Sequence, residues 1–143
     1  MSNQLCFLDS NIWLYYLLEN QSSTIQESKR KRNIAQSLTN SENLIVSTQV
    51  INEVCVNALK KANFTEAQIK LLIQTFENRC TVIAPRIEIL NKASDLRSQH
   101  YFSFWDSLIV ASALFANAEI LYSEDMQDNL ILEQRLMIVN PFK

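Results

Sequence analysis

Short apolar segments alternate with longer amphipathic stretches along this chain, and that alternation restricts the fold more than any other feature of the sequence. The short segments are apolar or rich in β-branched residues, which is typical of buried strands, whereas the longer stretches repeat apolar residues with helical spacing. Strands that alternate with helices favour a parallel sheet covered by helices. We therefore expect an α/β domain with a mostly parallel central sheet of about five strands, flanked by helices.

The pattern also predicts where the elements lie. The predicted strands are Leu5–Leu8, Leu44–Val46, Cys80–Ile83, Glu119–Tyr122 and Leu136–Val139. The predicted helices are Ile12–Leu18, a helix that ends at Leu38, Thr48–Ala62, Thr65–Asn78, Ile87–Gln99, and an apolar helix that begins near Phe104 or Asp106. A polar stretch over Glu19–Gln26 separates the first two helices. Because no repeat or linker divides the sequence, we expect residues 1–143 to form one domain.

Composition excludes several classes of protein. The chain has no glycine, which excludes the glycine-rich loops that hold nucleotide phosphates. Its three cysteines lie in apolar stretches without a C-x-x-C pair, and His100 is the only histidine, so neither a disulfide framework nor a zinc site is expected. The apolar runs are shorter than the roughly 20 residues that span a bilayer, and no signal sequence is visible, so we expect a cytoplasmic protein.

Asp9 is the first polar residue after the strand predicted over Leu5–Leu8. A residue in that place stands at the carboxyl end of a buried strand, which is the edge where open parallel sheets bind ligands. Aspartate is also a good N-cap for the helix that follows. The sequence alone leaves both interpretations open.

Asp106 stands at the start of a helix that is apolar nearly all round and is therefore expected to be buried. A carboxylate there is costly unless it is paired, and Val110 and Ala113 lie on the same helical face. The alternative is a capping box formed by Ser103 and Asp106. The two roles are compatible.

Acidic residues also follow the strand predicted over Glu119–Tyr122, namely Glu124, Asp125 and Asp128. If this strand neighbours Leu5–Leu8, its carboxylates converge with Asp9 at one edge of the sheet. The alternative is a solvated acidic turn.

Glu53 lies in the helix predicted over Thr48–Ala62. The apolar stripe of that helix runs through Val50, Val54 and Ala58, and Glu53 points away from its centre. On this pattern alone, a solvated glutamate is favoured.

In four segments the sequence resembles the PIN-domain nucleases, and especially the VapC-type toxins of prokaryotic toxin–antitoxin pairs. The segments are Phe7-Leu8-Asp9-Ser10-Asn11, Ser47 to Glu53, Trp105 to Ala113, and Leu121-Tyr122-Ser123-Glu124-Asp125. The likeness covers the whole chain, and the motifs follow the order of the family.

The resemblance implies a PIN-like three-layer fold and an endoribonuclease that uses one or two Mg²⁺ or Mn²⁺ ions. The catalytic and metal-binding acids it implies are Asp9, Glu53, Asp106 and Asp125, supported by Asn11 and Ser123. The chain departs from the family pattern after the last motif, so whether Asp125 or Asp128 is the fourth acid stays open. Carboxylate oxygens are the ligands that Mg²⁺ and Mn²⁺ prefer.

The resemblance also implies partners: an RNA substrate, a small cognate antitoxin and a second copy of the chain in a homodimer. Since the net charge is −2, RNA binding would need local basic patches. The candidates for phosphate contacts are Lys29, Arg30, Lys31 and Arg32, and a solvated helix face is the alternative.

Three other functions are alternatives. PIN domains also serve as RNA-processing nucleases, and a catalytically degenerate PIN domain would bind RNA or protein without cutting. An aspartate-nucleophile phosphohydrolase is disfavoured, because those enzymes need a second aspartate two residues after the first, where this chain has Asn11.

Overall fold

The computed structural model describes residues 4–19 and 24–143, so part of the polar stretch predicted over Glu19–Gln26 lies outside the described residues. The helices are α1 Ser10–Leu17, α2 Ile25–Thr39, α3 Thr48–Lys61, α4 Glu66–Arg79, α5 Ile87–Gln99 and α6 Phe104–Phe115. The strands are β1 Cys6–Leu8, β2 Leu44–Ser47, β3 Cys80–Ile83, β4 Ile120–Tyr122, β5 Ile131–Leu132 and β6 Leu136–Val139.

The strands form one sheet in the order β3-β2-β1-β4-β6-β5. Every pair of neighbours is parallel except β5 and β6, which are antiparallel. The predicted α/β fold with a mostly parallel sheet is thus confirmed. The structure adds β5 to the five predicted strands, and its two residues are too few to show an alternating pattern.

The order of the strands creates a switch point between β1 and β4. The chain places β2 and β3 on one side of β1, then crosses to the other side to add β4 and β6. Phe7 lies beside Leu121 in register, and Asp9 N–H donates to the carbonyl of Tyr122 at 3.0 Å. Residues that follow β1 and β4 are therefore brought side by side, at the kind of crevice where α/β sheets bind ligands.

The core surrounds the central strands. All four residues of β2 are buried, which requires cover on both faces of the sheet and makes the sheet the middle layer. In α6, burial extends to neighbouring positions such as Ile109, Val110 and Ala111, as the apolar sequence of this helix predicted. Among the described residues, none of the helices has both the length and the hydropathy to cross a membrane.

Left-handed backbone positions fall to residues other than glycine, which the chain lacks. Asparagine, whose short polar side chain tolerates this conformation, occupies the positions of positive φ at Asn43, Asn63, Asn117 and Asn129. At Asn117 the turn ends α6, because the next amide donates back to the carbonyl of Ala113 at 3.0 Å. The turn between β5 and β6 places Glu133 and Gln134 at φ 51° and 59°, and longer side chains accept this geometry at a cost.

Candidate active site

Asp9 is held at the end of β1 by hydrogen bonds to its carboxylate, the longest of them from the Ser10 hydroxyl at 3.5 Å. Its side chain is only 7% exposed. Ser10 N–H donates to Oδ1 at 2.7 Å, and the hydroxyl of Ser123 donates to Oδ2 at 2.8 Å. Asp9 thus caps α1, which begins two residues earlier than predicted, and also faces the residue that follows β4.

The pKa of Asp9 reports its surroundings. Burial raises it from the ordinary 3.8 to about 6, although the bonds from Ser10 and Ser123 oppose this shift. The negative charges of Asp106 and Glu53 raise the pKa further, so both carboxylates lie within electrostatic range of Asp9.

Asp106 lies in the first turn of α6. Its N–H donates to the hydroxyl of Ser103 at 3.1 Å, so Ser103 is the N-cap of α6 and supplies one half of the capping box that the sequence suggested. Partial burial raises the pKa of Asp106, a side-chain hydrogen bond with Ser103 lowers it, and the charge of Asp125 raises it again. Asp106 is therefore coupled to Asp9 on one side and to Asp125 on the other.

Asp125 and Asp128 have different surroundings. Oδ2 of Asp125 accepts a hydrogen bond from Nδ2 of Asn11 at 3.3 Å, which links it to the residues that follow β1. Oδ1 of Asp128 instead accepts from the N–H of Asn140 at 2.7 Å, a bond that fixes the chain after β6. Of these two acids, Asp125 lies with the group that contains Asp9.

Glu53 projects from the second turn of α3 and is exposed, as its place on the polar side of the helix predicted. The hydroxyl of Ser47 accepts from Val50 N–H at 3.3 Å and starts α3 directly after β2. This cap sets the distance between the end of β2 and Glu53, whose charge acts on Asp9.

Asn11 carries a further sign of a ligand. Its Oδ1 is buried and has no hydrogen-bond partner among the described residues. A buried carbonyl oxygen without a partner is costly, so a donor or a cation at this position would stabilise it. The amide nitrogen of the same side chain already supports Asp125.

The donor set suits a hydrated divalent cation. Within residues 4–19 and 24–143, no three His, Cys, Asp or Glu side chains stand close enough together to hold an ion by themselves. The donors are oxygens, and Mg²⁺ typically takes only one or two carboxylates while keeping several waters. The residues present therefore fit Mg²⁺ or Mn²⁺ bound largely through water, and not zinc.

A network that the sequence did not reveal anchors the loop carrying Asp125. The hydroxyl of Tyr15 donates to Oε1 of Glu124 at 2.5 Å, and Lys31 Nζ lies 2.5 Å from Oε2. The side chains of Lys31 and Glu124 are 16% and 21% exposed. Lys31 in α2 thus holds the residue next to Asp125.

The other members of the predicted basic cluster differ in their pairing. Arg30 pairs with Glu27, and Arg32 lies 3.7 Å from Glu19. Lys29 has no ion pair with any residue that the structure describes. The contact of this cluster with RNA stays a prediction.

Fold and site together define an α/β protein with an oxygen-lined site at the switch point of a parallel sheet. The family model of the PIN domain matches residues 6–130, most of the chain, and the chain therefore belongs to the PIN domain family. This confirms the family that the motifs predicted. No curated protein matches the chain significantly.

Solved structures support the same fold. A toxin–antitoxin complex from Klebsiella pneumoniae is 20% identical with a TM-score of 0.66, covering 95% of this chain and 97% of that one. VapC20 from Mycobacterium tuberculosis, a sarcin-ricin loop cleaving toxin, is 13% identical with a TM-score of 0.59, covering 81% of this chain and 86% of that one. VapBC2 from Rickettsia felis, bound to promoter DNA, is 19% identical with a TM-score of 0.58, covering 85% and 89%. At these identities the likeness concerns the fold.

Proposed function

We propose that this protein is an endoribonuclease dependent on Mg²⁺ or Mn²⁺, and the toxin of a toxin–antitoxin pair. The observation that carries the proposal is the buried carboxylate of Asp9, which is coupled to the charges of Asp106 and Glu53 at the switch point of the sheet. Membership of the PIN domain family supports nuclease activity. The toxin role is supported by the solved relatives, one of which is a sarcin-ricin loop cleaving toxin.

Asp9, Glu53, Asp106 and Asp125 would hold the ion, largely through bound water. The ion would supply the Lewis acid for hydrolysis of the phosphodiester, in which water adds to phosphorus and one ester P–O bond breaks. The protein orients its own ligands: Ser123 fixes the carboxylate of Asp9 at 2.8 Å, and the amide of Asn11 steadies that of Asp125. These hydrogen bonds reduce the reorganisation that would otherwise accompany binding.

We also propose the partners and the setting of this activity. A small cognate antitoxin is supported by two solved structures, the toxin–antitoxin complex from Klebsiella pneumoniae and VapBC2 from Rickettsia felis. A homodimer, a cytoplasmic location and a single domain over residues 1–143 complete the proposal.

The test is cleavage of single-stranded and structured RNAs with Mg²⁺, with Mn²⁺ or with EDTA. The parent protein is expected to cleave only with a divalent ion, and Asp9→Asn to lose about 100-fold or more in rate. Asp95→Asn, which removes an exposed acid of α5, is the matched control and should cleave like the parent. Cleavage in EDTA, equal rates for Asp9→Asn and the parent, or RNA binding by the parent without cleavage would each overturn the proposal.

The same assay separates the two acids of the loop. Asp125→Asn is expected to lose activity together with Asp9→Asn. Asp128→Asn should keep most of the activity, because the side chain of Asp128 accepts a hydrogen bond from the N–H of Asn140 and an asparagine oxygen can accept the same bond. If Asp128→Asn loses activity and Asp125→Asn keeps it, Asp128 and not Asp125 is the fourth acid of the site.

A further inference from the structure

A cleft of about 320 Å³ opens beside the acids. Asp106 and Asp125 form part of its wall, and the residues that line the remainder include His100, Tyr101 and Gln127. These residues come from the loop between α5 and α6 and from the loop between β4 and β5. The cleft is therefore continuous with the proposed site of phosphodiester hydrolysis.

Two polar side chains of the cleft, His100 and Gln127, are available to bond a ligand. Among the described residues, neither His100 nor Gln127 makes a side-chain hydrogen bond. The ring of His100 lies against that of Phe102, with 5.7 Å between centroids, and this contact restrains the imidazole. Side chains of these types contact the donor and acceptor edges of nucleobases.

Tyr101 is the most exposed aromatic side chain at the cleft. Its relative exposure is 110%, so the ring does not pack on the protein. An aromatic ring in this state offers a face to a planar ligand, and unpaired bases of single-stranded RNA stack on such rings.

We propose that this cleft binds one unpaired nucleobase next to the scissile phosphate, with Tyr101 stacking on the base and His100 and Gln127 contacting its edge. The inference rests on the proposed function, because an RNA strand held at the acids brings the neighbouring base to the cleft. The carboxylates of Asp106 and Asp125 disfavour a second phosphate there, whereas a base is neutral. The cleft thus selects for a strand in which this base is not paired.

The first experiment measures binding without cleavage. Fluorescence anisotropy of a labelled single-stranded RNA is recorded in the Asp9→Asn background, alone and with a second substitution. Adding Tyr101→Ala should weaken binding roughly 5- to 100-fold, and Tyr101→Phe should keep it, because the ring remains. Phe115 lies at the C-terminal end of α6, whereas Asp106 of the cleft lies in the first turn of that helix. Phe115→Ala is therefore the matched control for loss of an exposed aromatic ring. Equal affinity of the Ala, Phe and unsubstituted forms at position 101 would overturn the proposal.

The second experiment tests whether Tyr101 and the base act on each other. Bases beside a mapped cleavage site are removed one at a time by abasic nucleotides, and cleavage by the parent is compared with that by Tyr101→Ala. At one position, the abasic change and Tyr101→Ala should each lower kcat/KM, and the combined loss should not exceed the larger single loss. Losses that multiply at every position overturn the cleft proposal alone, since the parent still cleaves RNA. A parent that cleaves no RNA overturns the proposed function, and the anisotropy result then decides the cleft.

Discussion

Substitution of Asp9 by asparagine should stabilise the metal-free protein at neutral pH while removing its response to Mg²⁺. The parent has a charged carboxylate at this buried position, and asparagine keeps a similar shape without the charge. Asparagine also caps helices as well as aspartate does, so α1 should still begin at Ser10. Its amide can accept from Ser10 N–H and donate to the oxygen of Ser123.

The magnitude follows from the pKa of Asp9, which is about 6 in the fold against an ordinary value of 3.8. The folded protein therefore binds a proton on Asp9 more tightly than the unfolded chain does. The stabilisation that comes from this proton is complete below pH 3.8 and is lost as the pH rises through about 6. A difference of about 2 pKa units corresponds to about 3 kcal/mol. Asparagine has no such loss, so at pH 7.5 Asp9→Asn should be more stable by up to about 3 kcal/mol, roughly 6 to 12 °C in Tm.

The assay is thermal unfolding followed by circular dichroism in EDTA, from pH 4 to pH 7.5, for the parent, Asp9→Asn and the control Asp95→Asn. The parent and Asp9→Asn should have similar Tm values near pH 4, and the Tm of Asp9→Asn should become the higher of the two as the pH rises. Mg²⁺ is then added in place of EDTA. An ion at 100 times its Kd stabilises the folded state by about 2.7 kcal/mol, so the parent should gain Tm and Asp9→Asn should not.

Two results would refute this reasoning. If the difference in Tm between Asp9→Asn and the parent does not grow between pH 4 and pH 7.5, the buried charge is not the cost we assign to it. If both proteins gain the same Tm from Mg²⁺, Asp9 does not hold the ion.

Three further predictions concern stability. Lys31→Met should lower the free energy of unfolding in urea by about 2 kcal/mol, because the carboxylate of Glu124 stays largely buried without its cation, whereas Lys29→Met should change it by less than about 0.5 kcal/mol. Gln134→Gly should raise Tm by a few degrees, about 1 kcal/mol, because glycine accepts the φ of 59° without strain, and an unchanged Tm would contradict this. Asn117→Gly should raise Tm by less than Gln134→Gly does in the same scan, since asparagine already tolerates its φ of 60°.

The fold was largely predictable because its signals are local. The period of apolar residues differs between strands and helices, and it predicted the bounds of Cys80–Ile83, Ile87–Gln99 and Leu136–Val139 as the structure has them. Caps shifted other boundaries, as when Asp9 started α1 earlier than its apolar pattern suggested. β5 escaped prediction because its pairing with β6, and not its own two residues, makes it a strand.

The site was predictable only in part, because its contacts join distant residues. Asp9 could be recognised from its place after a strand, but its hydrogen bond with Ser123 spans 114 positions. The pair of Lys31 and Glu124 spans 93 positions, and the sequence showed only a basic run typical of a solvated helix. A run of charges does not reveal which member has a partner elsewhere in the fold.

The central place of β1 in the sheet has a consequence for the nascent chain on the ribosome. A ribosome adds roughly 5 to 20 residues per second, so Ser123 and Asp125 are synthesised several seconds after Asp9. Until β4 pairs with β1, Asp9 has no contact with the residues that follow β4. The nuclease we propose would thus lack a complete site on the ribosome until its own chain is nearly finished.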